Sequence, residues 1–178
     1  MKLRKILMVT MAVCALTVSA TGFAATKTTA PTVAMSIKSS LNAKNAAIAA
    51  AKQEVPADCN YYGTKNEVKF YDVKYQSPSD LAYYNVLVDK ATAKIDHITI
   101  SGSRFPGSVT INKTVADVKA IILATYPDAT DITVEKKVDT DKVLTIYEAT
   151  FKTPKFTGMA KLNPATGAYG YRELNYKK

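Results

Sequence analysis

The side chains with chemistry to offer are few. The 178-residue chain holds one histidine, two cysteines and no tryptophan. Cys59 and His97 would form a thiolate–imidazole pair if the fold brought them together. That chemistry needs a third group to orient the base, and no spacing in the sequence names one. A small buried hydrophobe is the simpler reading of Cys59, and a surface or packing residue that of His97. Ser101-Gly102-Ser103 lacks the spacing of a nucleophile elbow. Asp139 and Asp141 flank an expected hairpin tip. Calcium there would need more oxygen ligands at regular spacing, whereas aspartate stabilises turns locally. No glycine-rich loop is spaced to cradle a phosphate. The inventory points to a protein that is not an enzyme, with no cofactor and no metal.

Tyrosine stands out instead, with 11 residues against five phenylalanines. Tyr61-Tyr62, Tyr71, Tyr75, Tyr83-Tyr84 and Tyr147 fall in or beside expected strands. Adjacent strand residues point to opposite faces, so Tyr83 and Tyr84 cannot both enter one core. Tyrosine suits a binding face, with its broad ring and polar tip, and it equally suits packing between elements. The candidate partner-binding set is Tyr71, Tyr75, Tyr83, Tyr84 and Tyr147, with Ser77 and Asp80 of the loop "QSPSD" (76–80).

The elements that must position these groups begin after an expected signal peptide, residues 1–25. Met1 to Lys5 is basic, Ile6 to Val18 is apolar, and Ser19 to Ala25 is rich in small residues. The apolar run is 13 residues, short of the roughly 20 that cross a bilayer. Gly22 and Ala24 fit the −3 and −1 cleavage positions; a lipid-modified Cys14 is the alternative, with bulky Val13 against it. Cleavage takes away Lys2, Arg4 and Lys5, leaving 21 basic and 15 acidic residues, a net charge of +6. No run of like charge concentrates that excess. It reads as a solvated surface, or as attraction to an anionic partner. Nucleic acid is not expected for an exported chain. Residues 26–36 read as a flexible leader.

The remainder divides near "SGSRFPGS" (101–108) into 37–104 and 105–178, and each part opens on a helical pattern. In "SSLNAKNAAIAAAKQEVP" (39–56) Leu41, Ala47, Ile48, Ala51 and Val55 recur at helical spacing and Pro56 ends the run. In "NKTVADVKAIILATYP" (112–127) Thr114 and Asp117 predict a capping box, and Pro127 ends the run. Alternating, Val- and Tyr-rich stretches follow: 67–76, 82–89 and 94–100, then 131–139, 143–153, 156–163 and 168–176. Their short links predict antiparallel neighbours. The turn "NPATG" (163–167) has a near copy in "DKATA" (89–93), with Ala93 where Gly167 stands. Glycine takes the left-handed conformation freely, so Ala93 is expected to carry strain or the first turn to be built differently. The expected fold is α+β: two tandem repeats, each one helix packed on a three- to four-stranded antiparallel sheet, packed together or sharing a joined sheet.

The helix ending at Pro56, "YYNVLVD" with "DKATAKI" behind it, "VKAIILATYPDA", "GMAKLN" and "NPATGAY" resemble the PepSY family. That family occurs in propeptides of secreted metallopeptidases and in other bacterial exported proteins. The resemblance spans 37–178 and departs from the family at Ala93, in place of a turn glycine, and at Asn163, in place of an aspartate. The tandem arrangement also resembles a PepSY-like group described as similar to β-lactamase inhibitor proteins. The resemblance implies a non-catalytic domain that binds or restrains peptidases or other hydrolases, and it carries over no catalytic residue. The function expected is thus an exported, periplasmic or extracellular, protein-binding module. The alternative is an envelope-associated protein that binds anionic cell-wall polymer or lipid through its basic surface.

Overall fold

The structure, a computed structural model, describes residues 32–102, 104–139 and 142–178, with side chains from Ser39 onward. The expected signal peptide and residues 26–31 of the leader lie outside the described residues. Helix α1 (Thr32–Gln53) is followed by strands β1 (Asn60–Asn66), β2 (Phe70–Gln76), β3 (Tyr83–Asp89) and β4 (Ile95–Ser101). Helix α2 (Val115–Thr125) is followed by β5 (Thr130–Asp139), β6 (Leu144–Lys152), β7 (Phe156–Leu162) and β8 (Tyr169–Tyr176). The Thr114 hydroxyl accepts from the Asp117 backbone N–H at 3.1 Å, and the Asp117 carboxylate accepts from the Thr114 N–H at 2.7 Å, closing the expected capping box. Helix α1 starts at Thr32, within the stretch expected to be leader, and stops at Gln53, three residues short of Pro56.

The expected fold class needs correction. The strands do not make two repeats, each with its own helix and sheet; they form one eight-stranded sheet in the order β1-β2-β3-β4-β8-β7-β6-β5, antiparallel throughout. The junction is β4 against β8, paired from His97↔Asn175 to Ser101↔Tyr171. Separate sheets would leave both strands with an open row of backbone donors and acceptors, which invites pairing. Each would also hold only the modest core that about 70 residues can bury. Pairing β4 with β8 removes both costs.

Register then places one continuous apolar face. Across it run Val73↔Val86↔Ile98↔Leu174↔Gly158↔Phe151 and, one pleat away, Tyr75↔Tyr84↔Ile100↔Arg172↔Ala160↔Ala149. Apart from Arg172, these side chains are buried. Ala47 and Ala51 of α1 and Val118 and Ile122 of α2 close over this face. Phe151 lies over Gly158, where an added Cβ would overlap its ring, and Tyr126 stacks on Phe151 at 4.8 Å between ring centroids. Glu54 accepts from the Tyr176 hydroxyl at 2.7 Å, fastening the end of α1 to β8 across the junction.

Strand β1 was not expected from the sequence. "NYYGTKN" is polar, carries a glycine and shows no clean alternation, because an edge strand is exposed on most sides. Its register slips between Tyr61 and Gly63, and the opposite edge, β5, slips between Thr130 and Thr133. Bulges and charged side chains at both edges discourage further strand addition.

Candidate functional site

The second face of the sheet is covered by neither helix. Its rows run Tyr83–Ser101–Tyr171–Lys161–Glu148, then Asn85–Thr99–Glu173–Met159–Thr150, then Leu87–His97–Asn175–Thr157–Lys152. Tyr83 is 47% exposed and receives a bond from Gln76 Nε2 at 3.1 Å. Lys161 sits over the Tyr171 ring, 5.9 Å from its centroid, and the Tyr171 hydroxyl donates to Glu173 at 3.2 Å. Burial, and then the Glu173 carboxylate, raise the Tyr171 pKa, so it presents a neutral phenol. Lys137 pairs with Glu148 at 2.5 Å, and Lys74 with Asp72 at 3.5 Å. Asn175 donates to Glu173 at 3.4 Å, which leaves its carbonyl oxygen to accept from His97 Nδ1 at 2.8 Å. The other nitrogen, Nε2, then accepts from the Thr99 hydroxyl at 2.9 Å in neutral histidine. His97 is thus a member of a polar network in the middle of this face.

The sequence-derived binding set divides. Tyr71, Tyr75, Tyr84 and Tyr147 are buried on the helix-covered face. Tyr75 donates to the Ile48 carbonyl at 3.0 Å, Tyr71 to the Ser40 carbonyl at 3.4 Å and Tyr147 to the Lys113 carbonyl at 2.8 Å. Tyr71 and Tyr75 fasten α1 to the sheet and Tyr147 fastens the segment leading into α2, which is the packing reading. Ser77 is 1% exposed and bonds Ser79 at 3.0 Å, while Ser79 donates to Asp58 at 2.8 Å. Asp80 is on the surface, where it accepts from the Ala82 N–H at 3.0 Å. Only Tyr83 belongs to the uncovered face.

Tyr171, Met159, Lys161 and Glu173 escaped the sequence reading. The signal was present: in "YGYRELNY" the residues Gly170, Arg172 and Leu174 share one strand phase, and Tyr171 and Glu173 share the other. Which phase faces the helices follows from the pairing of β8 with β4 and β7.

Cys59 and His97 lie apart. Cys59 is buried beneath α1 with the helix-face core, and His97 is on the opposite side of the sheet. Burial and the neighbouring Asp58 raise the Cys59 pKa, the reverse of an activated thiolate. Ser103 and Asp141 lie outside the described residues. Among the described residues no three His, Cys, Asp or Glu side chains gather around a possible metal position, and no helix is long and apolar enough to cross a membrane.

At the junction of β4 and β8, on the helix-covered side, Arg172 stands among aromatic rings. Its guanidinium lies 4.7 Å from the Tyr169 ring centroid, and Nη1 donates to the Tyr126 hydroxyl at 3.4 Å. Burial lowers its pKa, but the hydroxyls of Tyr126, Tyr84 and Tyr169 outweigh this and leave it raised, so the group is a cation.

Compared with protein-family models, curated proteins and solved structures, the chain matches none. The PepSY resemblance therefore rests on the sequence segments quoted above.

Proposed function

We propose that the protein is an exported, non-catalytic binding module whose uncovered sheet face receives another protein. One observation carries this reading. Eight strands present a continuous surface that neither α1 nor α2 covers, and its side chains are those of a recognition face: Tyr83, Tyr171 and Met159 set among charged groups. The charges are mixed: Lys74, Lys137, Lys152 and Lys161 stand with Asp72, Glu135, Glu148 and Glu173. Balanced charge suits a folded protein surface of complementary pattern better than an anionic polymer or lipid, which calls for a basic field. The PepSY resemblance supports a peptidase or another hydrolase as the partner, restrained by binding. The chain, immobilised and exposed to secreted and envelope fractions of the producing cell, retains such a protein at high salt. Tyr83→Ala combined with Tyr171→Ala abolishes that retention while the fold survives. Capture of anionic polymer or lipid alone, lost at high salt, overturns the reading in favour of the envelope-binding alternative.

A further inference from the structure

Arg172 poses a problem the sheet does not solve. It occupies the apolar phase of a central strand, between Gly170 and Leu174, flanked across the sheet by Ile100 and Ala160. Among the described residues it has no carboxylate partner, and its buried Nε–H has no acceptor. A cation in such a place is costly unless something completes its hydrogen bonds. Arg172 also forms part of the wall of a cleft of about 400 Å³, shared with Arg104, Tyr169, Ile100, Ala82 and Asp80. Asp80, which accepts from the Ala82 N–H, is the one carboxylate in that wall, so against the two arginines it leaves the cleft one positive charge in excess.

From this we infer that the cleft binds a small carboxylate carrying an apolar body, with Arg172 as its anchor. The site lies on the helix-covered side, so it is independent of the partner face proposed above. The chemistry selects the ligand. A single excess positive charge matches a monoanion better than a dianionic phosphate. The Arg172 guanidinium lies beside the Tyr169 ring, and a planar cation of this kind pairs well with a planar carboxylate. Ile100, Ala82 and the Tyr169 ring supply apolar walls, and the volume falls in the range of small-ligand pockets. The carboxylate comes either from a free small molecule or from the C-terminal residue of a peptide, and both present the same group.

The test is a nuclear magnetic resonance titration of the ¹⁵N-labelled protein with N-acetyl-leucine and, separately, with N-acetyl-leucinamide. The acid saturates shifts centred on Ile100, Gly102, Tyr169 and Arg172, and the amide binds weaker by about tenfold or more. Arg172→Met, which keeps the stem and removes the charge, loses a similar factor for the acid. Tyr83→Ala with Tyr171→Ala leaves it unchanged. Where Arg172→Met does not fold, Arg104→Gln at the rim decides, weakening the acid and not the amide. Equal binding of acid and amide, shifts centred elsewhere, or acid affinity indifferent to both arginines overturns the inference. A peptide ending in leucine with a free carboxylate, set against its amidated form, distinguishes the sources. Binding of that peptide as tight as that of N-acetyl-leucine marks a chain end, and exclusion of the peptide marks a small molecule; either supports the carboxylate site.

Discussion

Ala93 and Gly167 hold the same place in two turns built alike, Ala93 at φ 55° and Gly167 at φ 76°. The Ala93 N–H reaches the Asp89 carbonyl at 2.9 Å, and the Gly167 N–H reaches the Asn163 carbonyl at 2.7 Å. Asp89 Oδ1 accepts from the N–H groups of Ala91 and Thr92, as Asn163 Oδ1 does from those of Ala165 and Thr166. The first turn is therefore not built differently; it keeps the geometry and carries the strain. An L-residue with a Cβ in the left-handed region costs about 1–2 kcal/mol, partly offset by glycine's greater freedom in the unfolded chain. Ala93→Gly should raise stability by up to about 1 kcal/mol in urea unfolding. Gly167→Ala should lower it by more, because its Cβ would also stand 2.6 Å from Ile121 Cδ1.

Asn163 does what an aspartate cannot. Its Nδ2 donates to the Phe105 carbonyl at 3.2 Å and the Gly107 carbonyl at 3.0 Å, pinning the segment that leads from β4 to α2. The departure from an aspartate is thus structural. Asn163→Asp replaces two donated bonds with a carboxylate facing two carbonyls, and should cost about 1–3 kcal/mol. The reciprocal change, Asp89→Asn, should keep its turn, since the amide oxygen accepts the same N–H groups.

Acid should weaken the fold through two carboxylates. Hydrogen bonds hold both below the usual range: from Thr92 and then Ala91 to Asp89, and from Thr114 to Asp117. A carboxylate with a depressed folded-state pKa favours the folded state above its unfolded value, about 3.9. That contribution disappears as pH falls through the depressed value. Unfolding midpoints followed from about pH 6 to pH 2 should therefore fall less steeply for Asp89→Asn and for Asp117→Asn than for the parent.

The tyrosines that fasten helical segments to the sheet should be separable from those that bind. Tyr75→Phe and Tyr147→Phe each remove one hydroxyl bonded to a backbone carbonyl, and each should cost about 1 kcal/mol. Neither should alter partner affinity, as both side chains are buried.

How far these features could be read in advance depended on the range of the interactions that set them. Seven strands, the capping box and both turns were legible, because alternation, Thr114 with Asp117 and the paired turn sequences are local signals. Strand β1 was hidden, because an exposed edge strand needs no apolar phase. Whether the two sheets merely pack or join is left open by the sequence. Nothing near Ser101 or Tyr171 says that β4 pairs with β8, and that contact alone makes one sheet of them. Tyr83 and Tyr84 were known to face apart, but the side taken by Tyr71, Tyr75 and Tyr147 waited for the helices.

The central claim, that the uncovered face receives a protein, is tested most directly by hydroxyl-radical footprinting of the chain alone and saturated with the captured partner. Protection of Tyr83, Met159 and Tyr171, with Leu41 and Leu123 of the helices unchanged, is the predicted result. Protection confined to Leu41, Leu123 and their neighbours, with Tyr83, Met159 and Tyr171 still modified at the rate of the free protein, would contradict it.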